Sequence, residues 1–161
     1  MRSMRQYYRE CFDAETPTFI KVLKAVPGDH AGYRPHPRST SAGDLVWLLA
    51  CELHDACVVI DRGEVTFVPT PAPSVAESLA AYERHAAELE QRLDTLDDRK
   101  WVTPAKFLVD GNVAWETTLG DMLFGFLFDA IHHRGQLSSY LRPMGAVVPS
   151  IYGPSADDPG T

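Results

Sequence analysis

The residues with chemistry to offer lie on two segments. Asp129-Ala-Ile-His132-His133-Arg134-Gly135-Gln136 puts a carboxylate, two adjacent imidazoles and an amide inside the apolar run from Leu119 to Leu141. Residues four apart share a helix face, so Asp129 and His133 point the same way. An earlier segment carries Glu52 and Asp55 on or beside its own apolar line. A carboxylate or imidazole pushed into a core is costly unless something pairs it. One histidine and two or three carboxylates facing each other suit a divalent ion such as Zn, Ni, Mn or Fe. Helix bundles build metal sites in their cores from such residues. Three protein ligands leave positions open for water, which suits Lewis-acid chemistry or activation of a nucleophile. The competing reading needs no metal: the Asp129–His133 pair satisfies itself by hydrogen bonding, and Glu52 reaches solvent from the edge of its stripe.

Other polar residues are placed by the same periodicity. The inward line of the last segment runs through 122, 126, 129, 133, 136/137 and 140, so His132 falls one residue off it, at the surface or behind the ligands. Arg134 pairs with a carboxylate and has no room to point inward beside His133. Gly135 costs about 1 kcal/mol against alanine inside a helix; close approach of a neighbouring helix would account for it. His54 reads as a flank residue, and His30, His36 and His85 as loop or surface residues. Glu15 lies near the line of the first segment. Cys51 adjoins Glu52, but no histidine shares its face to serve as the base that a nucleophile needs.

Proline divides the chain into the elements that must hold these residues. Pro27, Pro35 and Pro37 mark one connection, Pro69, Pro71 and Pro73 a second, Pro104 a third, and Pro143, Pro149, Pro154 and Pro159 the tail. Proline inside a helix costs about 3 kcal/mol, so these clusters are breaks. Four long segments remain, each opening on a helix-start signature: Ser3 with Gln6, Ser41 with Asp44, Ser74 with Glu77, Thr118 with Asp121. Their apolar residues recur at helical spacing, most cleanly Val75, Leu79, Tyr82, Ala86, Leu89, Leu93 and Leu96. Pro17 should kink or restart the first helix, with Thr16 as a cap. Four helices with one apolar stripe each predict an all-α antiparallel four-helix bundle with long 1–2 and 3–4 connections. Asp110-Gly111, between two short β-prone runs, predicts a two-stranded ribbon over 105–115. Residues 143–161 form a tail that packs back on a single domain spanning 1–161.

The chain has 161 residues, 45% hydrophobic and 23% charged, an ordinary balance for one domain with a core. A formal net charge of -7 argues against wrapping a phosphate backbone, so no nucleic-acid partner is expected. Cys11, Cys51 and Cys57 form no C-x-x-C spacing and no disulfide framework. The N-terminus lacks the apolar stretch of a signal peptide, and no run approaches the ~18 apolar residues of a membrane span. A cytoplasmic soluble protein with no membrane partner is expected.

His133-Arg-Gly-Gln-Leu137 followed by Tyr140-Leu-Arg-Pro-Met-Gly145 resembles the last helix of DinB/YfiT-like proteins. Arg34-Pro-His-Pro37, Ser41-Ala-Gly-Asp-Leu45 with Trp47, and the tail Val148-Pro-Ser-Ile-Tyr-Gly-Pro-Ser155 resemble other parts of that family. The resemblance implies a four-helix bundle, usually a homodimer. It implies a metal held by three histidines, one from the second helix and two spaced by four in the last. Relatives include transferases and isomerases that use low-molecular-weight thiols. Carried over by residue, His133 keeps its place, Asp129 replaces one histidine and Leu48 replaces the helix-2 histidine. Glu52, one turn below Leu48, is the substitute, giving Glu52, Asp129 and His133 as the metal site. The implied function is a metal-dependent S-transferase or hydrolase-type enzyme acting on a small electrophile with a low-molecular-weight thiol cosubstrate. The alternative is a non-catalytic bundle with a degenerate metal site, serving as a binding or dimerisation module.

Overall fold

In the computed structural model, which describes residues 2–160, four long helices carry the architecture. They are α1 (Met4–Lys24), α2 (Ala42–Arg62), α3 (Val75–Thr95) and α5 (Leu119–Leu141); a single turn, α4 (Asp98–Trp101), precedes the ribbon. α2 packs on α3 and α5, and α1 packs on the same two helices. Each long helix starts where its sequence signature predicts. Ser3 and Ser74 form full capping boxes with Gln6 and Glu77, and Ser41 and Thr118 accept from the backbone N–H of Asp44 and Asp121. Each such cap is worth about 1 kcal/mol.

α1 runs unbroken through Pro17, contrary to the expected restart. Thr16 is no cap: its hydroxyl donates to the Phe12 carbonyl one turn back. Burial of Tyr8, Phe12, Phe19, Val22 and Leu23 outweighs the hydrogen bond that proline removes.

The fold is not purely helical. The expected ribbon is present as β2 (Pro104–Val109) and β3 (Asn112–Thr118), antiparallel, with a register shift between Phe107 and Leu108. Its turn places Asp110 and Gly111 at φ 50 and 76, both left-handed, as a two-residue hairpin turn requires. A third strand, β1 (Glu64–Phe67), joins β2 in parallel after Gly63 ends α2 at φ 76. Four residues beyond a helix end are too short to show strand periodicity, and the partner strand is forty residues away. The sheet lies against α5 through Trp115, whose ring fills the space a side chain at Gly125 would take. Gly120 likewise gives way to Trp101. Gly135, by contrast, has open space around it, so helix contact does not account for that glycine.

The rotation of α5 departs from the sequence expectation. Its buried residues run through Leu123, Leu127, Ala130, Arg134, Leu137 and Leu141. Arg134 therefore points inward and is only 2% exposed. Its Nη1 donates to Glu15 Oε2 at 2.6 Å and to the Thr18 hydroxyl; its Nη2 donates to the Tyr152 hydroxyl at 2.6 Å. Tyr152 in turn donates to Glu15 Oε1 at 2.9 Å, and the guanidinium lies 4.4 Å from the Phe19 ring centre. The expected carboxylate partner is real, but the orientation is the reverse of that expected. Tyr152 belongs to the tail, and Ala146, Val148 and Ile151 pack against the core as the tail's apolar stretch suggests.

Removing one partner of a buried ion pair strands the other charge, at about 3–5 kcal/mol. Glu15→Ala is expected to destabilise the fold by about that amount in urea unfolding. Tyr152→Phe, which leaves the ion pair, is expected to cost only about 1 kcal/mol.

Candidate metal centre

Glu52, Asp129 and His133 converge although 77 or more positions separate Glu52 from the other two; one ligand atom from each lies within 4.8 Å of the others. α2 delivers Glu52 and α5 delivers the other two, one turn apart. The imidazole Nε2 of His133 is 3.8 Å from Glu52 Oε1 and 3.5 Å from Asp129 Oδ2. These separations exceed a good hydrogen bond and leave space between the three groups. His133 Nδ1 lies 3.1 Å from Gln136 Oε1, an acceptor, so Nδ1 carries the hydrogen and Nε2 presents its lone pair to the carboxylates. Gln136 Nε2 reaches His132 at 2.9 Å, so the surface histidine does hold the amide that orients the inner one.

Glu52 is the anomaly of the site. It is buried, and neither carboxylate oxygen has a hydrogen-bond partner among the described residues. Burial pushes its carboxyl up to about 9, and the charges of Asp129 and Asp55 add to the shift. An ionised carboxylate there needs a cation. The competing reading, in which it reaches solvent from the stripe edge, does not hold. Asp129, on the other hand, is exposed, with 60% of its side chain open, so the cluster is a rim site with one buried member. Two carboxylates and an imidazole nitrogen lone pair are a donor set that fits a divalent ion.

Leu48, one turn above Glu52, is half-buried and contributes no ligand atom. It lines a cavity of about 810 Å³ on another flank of α2, and none of the three cluster residues lines that cavity. Cys51 also lines it; burial pushes its thiol up to about 11, which disfavours the nucleophilic thiolate at neutral pH. His85 is a second residue, after Arg134, that sequence periodicity misplaced. It is buried at 8% exposure on α3, its Nδ1 donating to the Ala50 carbonyl at 2.9 Å. Its neighbours at 81, 82 and 86 are buried, which widens the α3 stripe beyond the 4-3 line, and that is the signal that could have found it. His54 is exposed beside Asp55, as expected of a flank residue.

The DinB family pattern matches residues 4–160. The chain belongs to the DinB family. Among solved structures it is similar to a DinB-like protein from Bacillus cereus ATCC 10987, at TM-score 0.75 and 17% identity, covering 90% of this chain and 95% of that one. It is also similar to the DinB-like protein YjoA from Bacillus subtilis, at TM-score 0.68 and 20% identity, covering 86% and 92%. At these identities the likeness is one of fold. No curated protein matches the chain. No helix among the described residues is long and apolar enough to cross a membrane.

The metal-free protein carries a pH signature. Glu52 binds its proton more tightly folded, near 9, than unfolded, near the ordinary carboxylate value. Between those values the folded state holds the extra proton, so stability falls as pH rises. Thermal unfolding of chelator-treated protein is expected to show Tm dropping from about pH 5 toward pH 9. Glu52→Gln should remove that part of the slope.

Proposed function

We propose that this DinB protein binds a divalent metal ion through Glu52, Asp129 and His133. The observation that carries the reading is the buried Glu52 carboxylate with two partnerless oxygens facing a histidine lone pair. Bound there, the ion would supply Lewis acidity and lower the pKa of a coordinated water or thiol. Carboxylates in place of imidazoles favour a harder ion than an all-histidine site does. The function that fits is a metal-dependent S-transferase or hydrolase-type enzyme, joining a low-molecular-weight thiol or water to a small electrophile. Glu52 anchors the cation from the buried side, Asp129 closes the site from the solvent side, and Gln136 holds the His133 ring.

A second reading takes the site as degenerate, in a non-catalytic binding or dimerisation module. Leu48 favours it, since a leucine stands where the family resemblance places a histidine. So does the raised carboxyl of Glu52, which makes a neutral, metal-free core tolerable at neutral pH.

Elemental analysis of untagged protein separates the two. The first reading expects close to one metal ion per chain, lost in His133→Ala and weakened at least tenfold in Glu52→Gln. Metal-free protein whose Glu52→Gln and Asp129→Asn variants are as stable as the parent would sink it.

We further propose that the four long helices form an antiparallel bundle that pairs as a homodimer in the cytoplasm. Support for pairing comes from an exposed aromatic patch. Phe128, 63% exposed, stacks on Phe124, which in turn lies 6.0 Å from Tyr7. Sedimentation at micromolar concentration is expected to give twice the chain mass, and Phe128→Glu to give the monomer. A monomeric parent would remove this part of the reading.

A further inference from the structure

We propose that the cavity between α2, α3, β1 and the 34–40 connection is a second binding site, for a small organic anion with a flat apolar body. Its volume, about 810 Å³, is that of a pocket for a small molecule. The proposal is independent of the metal reading, because Glu52, Asp129 and His133 do not line this cavity.

Charge is the first argument. The chain is acidic overall, at -7, yet Arg34, Arg38 and Arg84 all line this one cavity. Arg2, Arg5, Arg9, Arg92, Arg134 and Arg142 each hold a carboxylate elsewhere in the molecule, while Arg62 and Arg99 stand apart, without a carboxylate among the described residues and off this cavity. The three cavity arginines hold none among the described residues. A guanidinium fork matches a carboxylate or phosphate in geometry as well as charge. Two acids also face the cavity, and both are engaged: Asp44 accepts from the Ser41 hydroxyl at 2.5 Å, and Asp55 lies 3.3 Å from His54.

Preorganisation is the second. His85 is buried, and its Nδ1 must carry the hydrogen because the Ala50 carbonyl can only accept. The lone pair on Nε2 then faces Arg84 Nη2 at 3.2 Å and holds that guanidinium at the wall. This gives the buried histidine of α3 a task that the metal centre does not. Trp47 is fixed by the bond from its indole N–H to the Thr70 hydroxyl at 2.9 Å, and Phe67 supplies a second flat surface on β1. Flat apolar walls beside convergent donors suit an aryl or acyl body ending in an anionic group.

The test is calorimetric titration of the full chain with 1-naphthoate, 1-naphthyl phosphate and the neutral 1-naphthalenemethanol. Either anion is expected to bind at least tenfold more tightly than the alcohol, and the order of the two anions tells carboxylate from phosphate. Arg84→Gln should weaken the better anion at least tenfold and flatten its salt dependence. The arginines are exposed, so circular dichroism of the variants should match the parent. EDTA should leave anion affinity unchanged. Three outcomes overturn the proposal: equal binding of alcohol and anions, no binding of either anion at millimolar concentration, or anion binding that persists in the Arg34→Gln, Arg38→Gln, Arg84→Gln triple variant. Binding lost on chelation would assign the anion to the metal and overturn it too.

Discussion

The buried guanidinium of Arg134 constrains everything around it. A charge at 2% exposure is tolerable only where a counter-charge and donors' acceptors are all supplied. Here they come from two separate parts of the chain, Glu15 and Thr18 on α1 and Tyr152 on the tail, and meet Arg134 on α5. Satisfying that one group fixes the spacing of α1 and α5 and ties Tyr152 of the tail to both. It also fixes the rotation of α5. With 3.6 residues per turn, a neighbour in sequence is about 100° around the helix. Pointing Arg134 at α1 therefore turns His133 and Asp129 toward a flank, where α2 presents Glu52.

Two of the buried polar side chains, Arg134 and Glu52, are opposites in kind. Arg134 is well partnered, with hydrogen bonds to Glu15, Thr18 and Tyr152 and an aromatic face at 4.4 Å. Such a network specifies a unique packing. Glu52 is starved, with both oxygens unpartnered among the described residues. A fold that leaves one buried carboxylate without partners among the described residues, while pairing a charged group next to the same cluster, concentrates its uncompensated electrostatics at one point. That contrast, rather than the mere presence of acids and a histidine, singles out the cluster.

The cavity on the other flank of α2 shares the helix but not the residues. Leu48 and Cys51 face the cavity; Glu52 faces α5. One helix thus serves two environments, an acidic one toward α5 and a basic, aromatic one toward α3. Their chemistries differ in sign, so α2 separates them.

Local physics was legible in the chain itself. The four caps, the helical spacing of the stripes and the Asp110-Gly111 turn each depend on residues within a few positions of one another, and each appears where the sequence puts it. The shared face of Asp129 and His133 also followed from their spacing by four, a local fact; Glu52 was singled out by the family resemblance, and its approach to them across two helices is a tertiary one. What only tertiary structure decided are the long-range satisfactions. Which of Arg134 and His133 turns inward depends on Glu15, 119 residues away. β1 exists because β2 offers an edge to it, and Pro17 is carried because the burial around it exceeds its cost. His85 is buried because α2 supplies the Ala50 carbonyl. Periodicity counts hydrophobicity and so assigns a charged residue to the surface; only the folded molecule shows that its charge has been met inside.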